Sequence, residues 1–243
     1  MTIVVPQTFD AKLVEKREEV PGVITMRLAP VDGRKLSFTP GQFAMLCFPE
    51  EADPARKCRA YSVSSSPQIT EYVEVTIKVV KEWTTRMTTT PVGTTLQVKL
   101  PFGRFVMDEA CADYVFIAGG VGITPFASMS EYLAAAKPSG KKAMLFYSAK
   151  TPATLIFREK FEKLSQEWPG LKLAFTITDK EYAGTDWNGH RGRLDAEFIK
   201  AQLGSIEGKK FYLCGSAQMM VGIEEILEAI GVAKENIHTE KFG

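Results

Sequence analysis

The sequence predicts two successive folds, an antiparallel β domain and then an α/β domain. Three observations carry this. Up to about residue 108, apolar and polar side chains alternate with a period of two. From about Asp113, short apolar runs alternate with helical segments. The 243 residues are long for one domain and comfortable for two, and the boundary is expected in "VMDEACAD" (106–113).

In the first half, "YVEVTIKVV" puts Val73, Val75, Ile77 and Val79 on one face and Glu74, Thr76 and Lys78 on the other. "TLQVKL" repeats the pattern with Leu96, Val98 and Leu100, and "VITMRLA" is compatible with it. Turn-rich "PVDGRK", "FTPG" and "TPVGT" separate such runs, which predicts an antiparallel sheet closed into a barrel or sandwich. In the second half, "YVFIAG", "KAMLFYSA", "LKLAFTIT" and "KKFYLCG" are nearly continuous apolar runs, as in parallel strands covered on both faces. "ATLIFREKFEKLSQEW" keeps Leu155, Ile156, Phe157, Phe161 and Leu164 near one helical face. "AQMMVGIEEILEAIG" does the same with Met219, Ile223, Ile226, Leu227 and Ile230, ending at Gly231.

Composition narrows the function. Thirty basic against 29 acidic residues give a formal charge of +1, which argues against a nucleic-acid binder that works by phosphate neutralisation. "MTIVVPQTFDAK" has no basic start and its apolar run stops at Pro6, so no signal peptide is expected. The longest uncharged window, Tyr114 to Ser130, is too short for a membrane span, and a cytoplasmic protein is expected. Cys47, Cys58, Cys111 and Cys214 are scattered, which predicts reduced thiols and no zinc or iron–sulfur site. His190 and His238 lack a visible triad partner, and neither GxSxG nor GxxxxGK[ST] occurs.

The stretch "FIAGGVGITPF" (116–126) ends the first strand of the α/β half in Gly119, Gly120 and Gly122, and Thr124 and Pro125 then begin a helix. Glycines let a backbone approach a pyrophosphate, and a helix N-terminus offers N–H groups and partial positive charge. The spacing is GxGxxP, not GxGxxG, so a phosphate site and a tight packing turn both stay open.

Together with "FTPGQFAML" (38–46), "RAYSVSSSP" (59–67), "LPFGRF" (100–105), "YLCGS" (212–216) and the final "HTEKFG", this ordered set resembles the ferredoxin–NADP reductase superfamily, which includes cytochrome b5 reductases and oxygenase reductase components. The resemblance covers essentially the whole chain. It implies a Greek-key β-barrel that binds FAD over residues 1–108 and a Rossmann-like NAD(P)-binding domain over 109–243. It also implies that Arg59-Ala60-Tyr61-Ser62 holds the flavin: Arg59 on phosphate, Tyr61 against the ring, Ser62 donating to the ring nitrogen that receives hydride. Val63 to Ser65 would continue that wall. Gly119–Pro125 would take the dinucleotide pyrophosphate with Thr124 near the nicotinamide, and Cys214 and Gly215 would lie beside the carbon that gives up hydride. Phe242 would cover the flavin, and Glu240 would complete a polar set with Ser62 and Cys214.

Two departures qualify this. The resemblance leads one to expect a Gly-rich stretch ending in Ser or Thr, where this chain reads "KEWTTRMTTTPVG" (81–93). Thr84 and Thr85, with Arg86, would have to meet phosphate beside the bulky Trp83, which leaves FAD favoured over FMN. Asp179 follows "LAFTIT" where NADPH-using relatives tend to carry Ser-Arg, which favours NADH over NADPH. The segment "WNGHRGRL" (187–194) also matches the family, without an assigned role. The activity implied is an NAD(P)H oxidoreductase passing electrons through FAD to a separate ferredoxin, flavodoxin or oxygenase component. Arg56, Lys57 and Arg59, with Arg86, would offer an acidic carrier a docking surface, the alternative for Arg56 and Lys57 being an ordinary solvated basic cluster. The alternatives are a reductase of free flavin and a nucleotide-binding subunit of a larger complex.

Overall fold

The computed structural model describes residues 5–53 and 57–242, except for the side chain of Phe242; Arg56 lies outside the described residues. The chain forms two compact units. One comprises residues up to Val106 together with Ala127–Tyr132, and the other Met107–Phe126 and the residues from Leu133 onward.

The first unit holds β1 (Gln7–Val20), β2 (Val23–Pro30), β3 (Phe43–Cys47), β4 (Cys58–Ser62), β5 (Val73–Lys78) and β6 (Thr95–Phe102), with the helix α1 (Glu82–Thr89) between β5 and β6. Every pairing is antiparallel, in the order β4-β3-β6-β1-β2-β5. The two ends of this order meet through a bridge from Val63 to Val75 and a hydrogen bond of 2.8 Å from Ser64 N to Glu74 O. The sheet therefore closes into a barrel, which removes its open edges. Leu13, Met26, Leu28, Leu46, Val75 and Val98 fill it.

Period-two alternation misjudges β5. Glu74 and Thr76 are buried along with Val73, Val75 and Ile77. Thr76 Oγ1 pairs with the hydroxyls of Thr25 (2.8 Å) and Ser64 (3.0 Å). The Glu74 carboxylate takes two hydrogen bonds from Arg27 and an ion pair from Arg17. A buried polar side chain is tolerated where partners saturate it.

The reduced-thiol expectation also fails for one pair: Cys47 and Cys58 form a disulfide, while Cys111 and Cys214 are free and buried. Cys47 and Cys58 are register partners on β3 and β4, with Cα atoms 4.1 Å apart. Their sequence separation of 11 does not reveal that register.

The second unit is a parallel sheet of β7 (Asp113–Gly119), β8 (Lys142–Ala149), β9 (Leu171–Ile177), β10 (His190–Arg191), β11 (Lys209–Ser216) and β12 (Ile237–Phe242). Its order is β10-β9-β8-β7-β11-β12, with every pairing parallel. Helices α2 (Thr124–Ala136), α3 (Arg158–Glu167), α4 (Ala196–Leu203) and α5 (Ala217–Ala229) connect the strands. Leu155, Ile156 and Phe157 are buried but precede α3, because Phe157 sits at φ 61° and interrupts the helix there. The order reverses between β7 and β11, and a crevice beyond the carboxyl ends of strands at such a reversal is where open α/β sheets bind ligands. Among the described residues, no helix is long and apolar enough to cross a membrane, and no group of three His, Cys, Asp or Glu could hold a metal ion.

Candidate cofactor-binding sites

In the first unit, β4 carries Arg59 and Ala60 exposed, Tyr61 half-buried and Ser62 buried. Arg59 Nη1 donates to Cys58 O at 2.8 Å, and its guanidinium lies 5.6 Å from the centre of the Trp83 ring. Arg59, Glu82, Trp83 and Arg86 line a cavity of about 140 Å³. Burial pushes the Tyr61 phenol up to about 12, against the lowering effects of Trp83 and Arg59. The Trp83 indole nitrogen is buried without a well-formed hydrogen bond, although it lies close enough to influence that phenol.

The other side chains assigned to this site are occupied elsewhere. Thr84 Oγ1 accepts from Val80 N and Lys81 N and donates to Lys81 O, and Thr85 Oγ1 also donates to Lys81 O. These bonds hold the first turn of α1, where unpaired N–H groups need a partner. Arg86 pairs with Glu50 (3.0 Å) and Glu51 (2.9 Å) and covers the Phe48 ring at 3.8 Å. Its charge is balanced locally, which weakens the basic cluster as an acidic-carrier dock. Ser64 and Ser65 bond the backbone of Glu74, so their hydroxyls serve barrel closure. A flavin phosphate therefore fits Arg59 and the exposed β4 backbone better than it fits the threonines of α1.

In the second unit the glycines have three different reasons. A Cβ at Gly122 would stand 2.2 Å from the carbonyl oxygen of Cys214, so the turn that follows β7 packs directly on the backbone of β11. A Cβ at Gly119 would meet the sulfur of Met219, a flexible side chain. Gly120 is exposed at φ 53° with open space around it. Gly120–Ile123 form a short 3-10 turn that runs straight into α2, where Pro125 occupies the first turn and Thr124 donates to Val121 O at 3.1 Å. The packing turn and the phosphate cradle are thus compatible: Gly122 serves packing, and Gly120 leaves open the helix start that a pyrophosphate needs.

Tyr147 was not visible as part of this site. Its hydroxyl donates to Gly120 O and accepts from Ile156 N, both at 3.1 Å, which fixes the glycine turn from β8. Burial raises its pKa and keeps it protonated. Only the register of β7 beside β8 reveals it.

Cys214 and Glu240 are register partners on β11 and β12, and Phe242 pairs in register with Ser216. Burial first, and the Glu240 charge second, push the Cys214 thiol upward, so it stays a neutral S–H. A Cβ at Gly215 would meet Met219, Met220 and Gly119 at 3.3–3.4 Å. Asp179 is exposed, and its carboxylate accepts from Glu181 N at 3.0 Å within its own turn.

"WNGHRGRL" forms the outer edge of this sheet. Trp187 Nε1 donates to His190 O, the His190 ring stacks on Phe198 with centres 3.8 Å apart, and Thr176 Oγ1 donates to Gly192 O.

Comparison with known proteins agrees with this division. Residues 10–107 match the oxidoreductase FAD-binding domain family, and residues 116–225 match the oxidoreductase NAD-binding domain family. The glycine betaine monooxygenase reductase subunit of Chromohalobacter salexigens is 28% identical over 85% of this chain and 56% of its own length. The xylene/toluene monooxygenase electron transfer component of Pseudomonas putida is 26% identical over 98% of this chain and 66% of its own length. The chain thus spans between about half and two thirds of the curated relatives it matches. The cytochrome b5 reductase domain of Ulva prolifera nitrate reductase shares the fold with a TM-score of 0.84, at 20% identity, over 96% of this chain and 97% of that one. Residues 10–107 thus belong to the oxidoreductase FAD-binding domain family and residues 116–225 to the oxidoreductase NAD-binding domain family, the two following one another in one chain.

Proposed function

We propose that the chain is a reductase module that takes hydride from a reduced nicotinamide dinucleotide and passes electrons, through FAD, to a separate protein. An oxygenase component or a ferredoxin is the acceptor class, in keeping with the relatives whose names describe oxygenase reductases and electron-transfer components. The observation that carries this reading is the close packing of the glycine turn after β7 on β11, Gly122 against Cys214, at the point where strand order reverses.

Bound FAD supplies the conversion between two-electron and one-electron transfer. The chain supplies binding and protonation states. Arg59 takes phosphate charge on β4, a charge-assisted contact with defined geometry. The Tyr61 phenol, held up to about 12, stays neutral and would lie against the flavin ring. Ser62 is the proposed donor to the flavin ring. The turn at Gly119–Pro125 takes the dinucleotide pyrophosphate, with Thr124 at the nicotinamide end. Cys214 stays protonated and cannot attack the nicotinamide as a thiolate. Glu240, its register partner on β12, would complete the polar set at the nicotinamide. The aromatic expected to cover the flavin, Phe242, has its side chain outside the described residues.

The test is a visible spectrum of the purified protein, taken anaerobically before and after a reduced nicotinamide dinucleotide. A yellow protein that bleaches is expected. A colourless protein that neither NADH nor NADPH enables to reduce added FAD would sink the reading.

A further inference from the structure

The second unit contains a cavity of about 410 Å³ at the ends of β8 and β9 and the start of α5. Its polar lining comes from Ser148, Thr178, Arg193, Ser216 and Gln218, and Gly222 lies in its wall among aliphatic side chains. Arg193 is the one charged residue among the described lining residues. It is exposed, and no ion pair to it is formed among the described residues. Asp179, whose position suggested NADH, is not part of this lining, and its carboxylate is held in its own turn.

In a dinucleotide-binding sheet, the adenosine ribose lies beyond the ends of the strands next to the pyrophosphate turn. A carboxylate there selects a 2′-hydroxyl, and an arginine accommodates a 2′-phosphate. Here the cavity presents a guanidinium and hydroxyls and no carboxylate. Arginine is suited to this task because its planar fork matches phosphate oxygens and is always charged. We propose that Arg193 receives the 2′-phosphate of an adenine dinucleotide in this cavity, so that the chain prefers NADPH to NADH. The proposal rests on the reductase reading above and replaces the expectation of NADH drawn from Asp179.

Adenosine fragments test it without flavin turnover. Equilibrium binding of 2′,5′-ADP and 5′-AMP is measured by calorimetry on the wild-type chain, on Arg193→Gln and on Gly222→Leu. A Cβ at Gly222 has nothing within 4 Å, so a larger side chain there grows into open space. The wild type is expected to bind 2′,5′-ADP roughly ten- to a hundredfold more tightly than 5′-AMP, the range for a charged hydrogen-bonding partner. Arg193→Gln should abolish that preference and leave 5′-AMP binding unchanged. Gly222→Leu should weaken both fragments together. The preference should also shrink as salt rises, since the contact is exposed.

Equal binding of the two fragments by the wild type, a preference that survives Arg193→Gln, or no binding of either fragment overturns the proposal. Reduction by a nicotinamide dinucleotide without a fragment preference would defeat this inference and leave the reductase reading standing. A fragment preference that depends on Arg193, with no flavin reduction by either dinucleotide, would do the reverse.

Discussion

At the scale of single residues, His238 shows how position on a strand decides chemistry. Its ring stacks on Tyr212, its register partner, with centres 4.8 Å apart, and its Nε2 is buried without a partner. Burial first, and Lys210 second, lower its pKa below the usual 6.5, against the opposing pull of Asp108. The unfolded chain therefore binds a proton more readily than the folded one. This cost is absent above about pH 6.5 and grows as the pH falls toward the folded value. His238→Phe keeps a ring for stacking and removes the titration. The fall in urea midpoint from neutral pH to pH 5.5 should be smaller in that variant. Equal falls in the two proteins would remove His238 from the account. The sequence showed that His238 lacks a triad partner. It could not show the stacking, because register is a property of two strands. Cys214 and Glu240, by contrast, were grouped with Ser62 from their family pattern, and Cys214 and Glu240 are register partners on β11 and β12.

At the scale of elements, the glycine turn divides one motif into separable roles. Gly122→Ala would press a Cβ against backbone that cannot swing aside, whereas Gly119→Ala meets only the end of Met219. Overpacking of this kind costs about 1–3 kcal/mol. Gly122→Ala should therefore lower the urea midpoint clearly more than Gly119→Ala, and the reverse order would contradict the close packing of the glycine turn on β11. Period and composition were enough to place these glycines at the end of a strand. They could not rank them, since the reason for Gly122 lies nearly a hundred residues away at Cys214. The same limit explains β5: alternation predicts two faces but not that Arg27 and Thr25 on β2 cover the second one. Likewise, Thr84 was expected on phosphate, and the use of its hydroxyl within the first turn of α1 follows only from the folded backbone around Lys81.

At the scale of the whole molecule, the change from period two to strand–helix alternation was enough to read both folds. Local patterns report which face of an element is apolar, and that is what separates a closed antiparallel barrel from a parallel sheet. The cysteines were the point where reading by spacing failed, and their pairing has a consequence for the connectivity of the polymer. With Cys47 joined to Cys58, residues 47–58 form a covalent ring set into an otherwise linear chain. A break in the backbone inside that ring opens it without parting the molecule. Tryptic cleavage after Arg56 or Lys57 should therefore leave a single band of 26.9 kDa on a denaturing gel without reductant, and two fragments once reductant is added. Two fragments before reduction would mean that the ring had never closed.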